Sequence, residues 1–213
     1  MINQDETQQE GIRTRKIVAG LFMSLDGIVS SPSEWGFQYM TAEMSKAITE
    51  GIALADAVLI GRRTYLEFAE IWPKQGSEVP MSDFLNHTHK YVVSATLEKL
   101  PWQPATLIKG NLAEEMMKLK QQPGGNIQIP GSPTLVRSLI RLGLLDMLSL
   151  TICPVVVGSG LHLFDEITNQ VPLKLVHGTV LSNGAIGATY LPTNLVGKTA
   201  QTPISFPDAA SHR

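Results

Sequence analysis

Three times in this chain a short apolar run reaches a glycine and a helical pattern starts at once. Ala57-Val58-Leu59-Ile60 runs into Gly61-Arg62, Thr106-Leu107-Ile108 into Gly110-Asn111, and Ile127-Gln128-Ile129 into Gly131-Ser132. Runs this short and apolar read as strands buried on both faces. Strands that alternate with helices pair in parallel, because each helix carries the chain back across the sheet. The flanking residues agree. Arg62 to about Ile71 reads as a helix stopped by Trp72-Pro73, and Leu112 to Gln121 as a helix capped by Asn111 and ended by Pro123-Gly124-Gly125. Gly131-Ser132-Pro133 opens another, with Ser132 as its cap and Pro133 at its first position; it runs to Arg141, where Gly143 closes it.

Further strands are expected at Lys16 to Met23 and Lys90 to Val93. Leu145 to Val157 is expected to carry the longest one, and Lys174 to Leu181 pairs with Ala185 to Leu191 as a hairpin about Ser182-Asn183-Gly184. After the first strand, Thr41 is placed to cap a helix with Glu43 in its first turn, where the dipole favours an acid. The predicted fold class is therefore α/β: a mainly parallel central sheet flanked by helices, with a C-terminal antiparallel hairpin. One domain spans residues 15–192. Polar tails, 1–14 and 193–213, flank it and carry too little apolar surface to offset their ordering entropy.

Composition closes several routes. Lys plus Arg number 17 and Asp plus Glu 19, a net charge of -2 with no basic stripe, so no nucleic-acid partner is expected. The longest uncharged run, Met147 to Phe164, is broken by Pro154, Gly158 and Gly160 and reads as strand plus loop rather than a membrane span. Cys153 is the one cysteine, which removes any intrachain disulfide and any Cys-x-x-Cys metal site, and no metal is expected. A cytoplasmic protein is the expectation.

Ligands of such sheets bind where strands end and helices begin. A helix start offers unpaired N–H groups and about half a positive charge, and a preceding glycine lets an anion approach the backbone. Gly61-Arg62-Arg63-Thr64 adds two guanidinium groups and a hydroxyl to one such start; Gly131-Ser132-Pro133-Thr134 adds two hydroxyls to another. Together they could hold a pyrophosphate, although a glycine with a cap also starts helices that bind nothing. Gly158-x-Gly160 has Leu163 where a dinucleotide fingerprint needs its third glycine, and no phosphate-loop motif of the GxxxxGK[ST] type occurs.

The ordered series Ser24-Leu25-Asp26-Gly27, Asp56 to Tyr65, Val92-Val93-Ser94, Gly131-Ser132 with Leu135-Val136, Leu142 to Asp146, and Pro154 to Gly160 with Leu163-Phe164 resembles the dihydrofolate reductase-like superfamily. More narrowly, it is similar to stand-alone proteins that resemble the C-terminal reductase domain of the bacterial riboflavin-biosynthesis deaminase-reductase. The resemblance implies a reductase with NADPH as hydride donor, acting on a pterin, pyrimidine or related heterocycle. It implies that Gly61, Arg62, Arg63 and Thr64 meet the cofactor phosphates and that Ser94 lies near the adenosine ribose phosphate. Gly131, Ser132, Thr134 and Leu135 would form the second phosphate turn. Departures are visible: Pro130 replaces the first residue of that turn, Asp146 is followed by Met147 instead of Glu, and the segment for a phosphoribosyl substrate is not recognisable between Ser30 and Ser45.

A reduced C=N or C=O also needs a proton, and two acids are candidate donors: Asp26 at the end of the first strand and Glu43 in the next helix. Each has a plainer reading, Asp26-Gly27 as a turn pair and Glu43 as a dipole partner. Trp35 either lines the substrate loop or covers the sheet. The apolar surface of Leu145 to Val157 and of Ala185 to Leu191 predicts a homodimer. The rival to an enzyme is a nucleotide-binding or dimerisation module that keeps the fold without turnover.

Overall fold

A computed structural model describes residues 14–193; the expected tails lie outside the described residues except for Thr14 and Thr193. In chain order the elements are β1 (Ile17–Ser24), α1 (Pro32–Trp35), α2 (Ala42–Ile52), β2 (Ala55–Gly61), α3 (Arg62–Ile71), α4 (Ser82–His87), β3 (His89–Val93), β4 (Ala105–Ile108), α5 (Leu112–Gln121), β5 (Asn126–Ile129), α6 (Pro133–Arg141), β6 (Met147–Cys153), β7 (Leu173–Val180) and β8 (Ile186–Pro192). They build one sheet in the order β4-β3-β2-β5-β1-β6-β8-β7. The first six strands pair in parallel; β8 runs antiparallel to β6, and β7 antiparallel to β8.

Alternation along β2 explains why its apolar run is unbroken. Ala57 and Leu59 enter one core with Met116 and Leu119 of α5 and Leu135, Val136, Leu139 and Ile140 of α6. Val58 and Ile60 enter a second core with Tyr65 of α3, Leu85 of α4 and Trp102. Successive side chains point to opposite faces, so a strand covered on both sides must be apolar throughout. A third, smaller cluster packs Met44 and Ile48 of α2 onto Phe22 of β1 and onto Leu181 and Ala185 at the hairpin tip. Asn183 fixes that tip by donating its Nδ2 to the Tyr39 carbonyl at 2.6 Å.

Local caps agree with the sequence. Thr41 Oγ1 accepts the Met44 N–H at 3.1 Å, and Asn111 Oδ1 accepts the Ala113 N–H at 2.9 Å. Polar pins hold the amino edge of the sheet: Asp146 accepts the Ile17 N–H at 2.8 Å and Lys120 Nζ at 2.6 Å. Arg15 is ion-paired to Asp56 there. In the second core Tyr65 Oη donates to the Trp102 carbonyl at 2.9 Å and accepts the Trp102 N–H at 2.8 Å. Lys90, fully buried, donates to the Thr88 carbonyl at 2.9 Å and lies 4.3 Å from the centroid of the Trp102 ring.

Two expectations need correction. The strand expected over Leu145 to Val157 is shorter, and β1 and β7, at 8 residues each, exceed the 7 of β6. Pro154 has no N–H to continue the ladder, and the chain turns there so that the Leu25 N–H reaches the Val155 carbonyl at 2.8 Å. Ser132 does precede α6 but does not cap it. It sits in the left-handed region at φ 68, and its hydroxyl turns away from its own helix.

Candidate active site

Parallel strands end on one edge, so the ends of β1, β2, β3, β5 and β6 share the same rim, and several candidate residues from distant parts of the sequence meet along it. The Ser132 hydroxyl accepts the Gly61 N–H at 2.8 Å, joining the turn before α6 to the turn before α3. A Cβ on Gly61 would stand 3.2 Å from Ser132 Oγ, and one on Gly131 would stand 3.0 Å from Thr64 Cγ2. Each glycine thus makes room for the opposite turn. Neither α3 nor α6 has a side-chain cap, so two neighbouring helix starts present first-turn N–H groups and two positive dipole ends to one place. That combination suits the paired phosphates of a dinucleotide.

Arg62 extends this rim toward β3. Its Nη1 donates to Thr96 Oγ1 at 2.9 Å. Thr96 lies in a turn organised by Ser94, whose buried hydroxyl accepts the Thr96 N–H at 3.2 Å and the Leu97 N–H at 3.0 Å. Ser94 therefore builds the turn that holds Arg62, and Thr96 is a residue that sequence reasoning missed. Arg63 points into solvent, its side chain 85% exposed and paired with Glu67 of the same helix. Thr134 is exposed at the start of α6, whereas Leu135 belongs to the core and offers the site only its backbone.

The two acids part company. The Asp26 carboxylate accepts Ser24 Oγ at 2.6 Å, the Val157 N–H at 3.1 Å and the Gly158 N–H at 2.8 Å. These bonds, the Ser24 hydroxyl foremost, hold its pKa at about 2. These bonds favour the ionised carboxylate, so any part Asp26 takes in proton transfer is that of a relay. Its carboxylate clasps the loop after β1 to the loop after β6. Further bonds line the same seam: Leu161 N–H to Ser30 Oγ at 3.0 Å, Val29 N–H to the Leu161 carbonyl at 2.9 Å, and Leu163 N–H to the Gly27 carbonyl at 3.0 Å. Glu43 sits exposed in the first turn of α2. Trp35 is buried and donates its Nε1 to the Ser30 carbonyl at 2.9 Å, which ties it to this loop.

Other features lie apart from the rim. A cleft of about 410 Å³ lined by Pro73, Gln75, Asp83, Asn86, His87 and Trp102 opens at the amino ends of β3 and β4, the opposite edge of the sheet. An apolar cavity of about 290 Å³ lies between Ile140 of α6 and Phe164, Ile167, Val171 and Leu173. Burial pushes the Cys153 thiol up to about 11, which leaves it inert. Among the described residues no cluster of His, Cys, Asp and Glu could hold a metal ion, and no helix is long and apolar enough to cross a membrane.

The family model described as the RibD C-terminal domain matches residues 15–186. The chain belongs to that family. Among relatives, it is 31% identical over 183 residues to the uncharacterized protein YyaP of Bacillus subtilis (strain 168), a match covering 84% of this chain and 96% of that protein. Among solved structures, a pyrimidine reductase-like protein of Corynebacterium diphtheriae is similar with a TM-score of 0.61 at 17% identity, over 86% of this chain and 94% of the other. A dihydrofolate reductase of Enterococcus faecalis complexed with NADP(H) superposes with a TM-score of 0.57 at 15% identity, covering 84% of this chain and 97% of that one. At such identities the structures speak for the fold, and the RibD C-terminal domain of this chain has the dihydrofolate reductase-like fold.

Proposed function

We propose that this member of the RibD C-terminal domain family is an NADPH-dependent reductase of a small heterocycle, a pterin, pyrimidine or related compound. The observation that carries the reading is the Ser132 to Gly61 hydrogen bond, which brings two uncapped helix starts together beside Arg62. Bound there, NADPH would supply a hydride to a C=N or C=O group. Gly61, Thr64, Gly131 and Thr134 would cradle the pyrophosphate. Arg62, steadied by Thr96 over the Ser94 turn, would meet the 2′-phosphate that distinguishes NADPH from NADH. Pro130 contributes no N–H to the second turn, so the remaining backbone donors and the hydroxyls of Thr134 and Ser132, the latter accepting from Gly61 with its own hydrogen still to donate, carry that half.

Asp26 as a relay, Glu43 or solvent supplies the proton. Glu43→Gln keeps the size of the side chain and is expected to lower turnover about 10²-fold or more while leaving NADPH affinity intact. Full turnover in that variant assigns the proton to water or to another residue. The cofactor reading itself is tested by thermal stabilisation. Ligand at 100 times its dissociation constant adds about 2.7 kcal/mol, so NADPH is expected to raise the melting temperature and NADH to raise it less; no rise with either would sink the reading.

A second reading, a nucleotide-binding or dimerisation module without turnover, is favoured by the commitment of Asp26 to the loop clasp. A substrate screen followed by NADPH oxidation separates it from the enzyme. Under either reading the chain is expected to form a homodimer in the cytoplasm. The edge strand β7 exposes Leu175 (53%), Val176 (46%) and Val180 (75%), and an edge open on both faces calls for a partner. A monomer mass by light scattering at tens of micromolar would contradict that.

A further inference from the structure

One turn behind the start of α6 lies an arginine that the cofactor reading does not use. The Arg137 side chain is 6% exposed, and its Nε has no hydrogen-bond partner. Its other contacts are long: Nη1 is 3.4 Å from the Asp165 carbonyl and 3.9 Å from the Glu166 carboxylate, and Nη2 is 3.5 Å from Thr134 Oγ1. Glu166 is a weak counterion, because its side chain is 68% exposed and also lies 3.3 Å from Arg141. A guanidinium buried to this degree usually has a full set of partners, since desolvating a charge is costly. Arg137 has not, and its charge remains largely uncompensated.

Its direction says where that charge is felt. Helical side chains lean toward the N-terminus, and residues three apart share a face, so Arg137 reaches back under the first turn of α6 to Thr134. Thr134 is exposed, and no side chain caps the helix. A hydroxyl oxygen that faces a cation as acceptor must turn its own hydrogen elsewhere. For Thr134 that leaves the hydroxyl hydrogen free to donate to a group other than the guanidinium.

We propose that Arg137 is a positioning residue for the pyrophosphate of the dinucleotide: it fixes the Thr134 hydroxyl as a donor and sets a positive charge beneath the first turn of α6. This rests on the cofactor reading above. It gives the second phosphate turn a cation to replace the backbone donor missing at Pro130, and it assigns Arg137 a role different from that of Arg62. Arg62 would sense the 2′-phosphate; Arg137 would sense the part that NADPH and NADH share.

The test is titration of the full chain with NADPH and with NADH, alongside the melting temperature of each unliganded protein. Arg137→Met is expected to weaken both dinucleotides equally, by about 10-fold or more. Thr134→Val is expected to weaken both, and the double variant to be no weaker than Arg137→Met alone, because the Thr134 hydroxyl contributes only when Arg137 orients it. Arg137→Lys keeps the charge without the fork and is expected to lose about 3- to 5-fold; it serves if the Met variant does not fold. A purely structural arginine would lower the melting temperature and leave both affinities unchanged. That result, or losses that multiply in the double variant, would overturn the proposal. Wild-type protein that binds neither dinucleotide would overturn the cofactor reading first, whereas wild-type binding with unaltered variants would overturn only the role of Arg137.

Discussion

Asp26 and Gly158 stand 132 residues apart in the chain, and the carboxylate of the first accepts the backbone N–H of the second at 2.8 Å. With Ser24 and Val157 completing the set, Asp26 titrates at about 2 instead of 3.8. The folded state prefers the ionised form, so the stability it contributes is whole above the unfolded pKa and is lost as the pH falls through about 2. Denaturation of wild type and Asp26→Asn across the acid range is expected to reveal a less stable variant at pH 6 and convergence of the two toward pH 2. A difference that does not narrow would mean that the charge of Asp26 does not hold the loops.

Ser132→Ala removes the acceptor of the Gly61 N–H at a site where Ser132 is 6% exposed. A buried donor left without a partner costs about 1–3 kcal/mol. Urea unfolding is expected to register a loss of that size, and titration to register weaker binding of NADPH and NADH alike. Unchanged binding in a folded variant would show that the two helix starts need no such tie to hold a cofactor.

Arg62→Ala is expected to weaken NADPH about 10- to 100-fold and NADH little, since a charge-assisted bond to phosphate contributes about 1.5–3 kcal/mol. Arg63, in solvent beside Glu67, is expected to matter much less. Comparing dissociation constants for the two cofactors checks both statements; equal losses in Arg62→Ala would place its contact on the pyrophosphate instead.

Burial lowers the pKa of Lys90 to about 8 from 10.5. Between those values the unfolded chain binds the proton that the folded one has released, so stability rises with pH through that window. Denaturant midpoints measured from pH 7.5 to 10.5 are expected to climb in wild type relative to Lys90→Met, which has nothing to titrate there. Parallel profiles would locate the titration elsewhere.

Much of the fold was legible because its signals are local. Thr41 and Asn111 announce their helices through bonds two or three residues away, and the run Ala57 to Ile60 announces a strand covered on both faces. Ser132 carries the same local signal and behaves differently, because its partner Gly61 lies 71 residues back and nothing in sequence order brings the two together. The bonds of Asp26 are hidden for the same reason: its partners in the loop after β6 appear only after folding. The over-long strand came from Val155-Val156-Val157, three β-branched residues that look like more ladder after a proline that ends it. Thr96 and Arg137 belong to no pattern of spacing, and only burial and distance single them out.

The position of β1 in the sheet has a consequence for synthesis. It lies between β5 and β6, in register as Ile17 with Ile127 and Val18 with Met147, so its neighbours follow it by 110 and 129 residues. At translation rates of roughly 5–20 residues per second, the strand at the centre of the sheet waits on the order of 5–20 s for its first partner. During that interval Ile17, Val18, Ala19 and Leu21, all buried in the finished protein, have no sheet to enter. The first of the eight strands to be made is thus kept waiting for both its neighbours, and the yield of soluble protein should be more sensitive to chaperone supply and translation speed than to small changes in final stability.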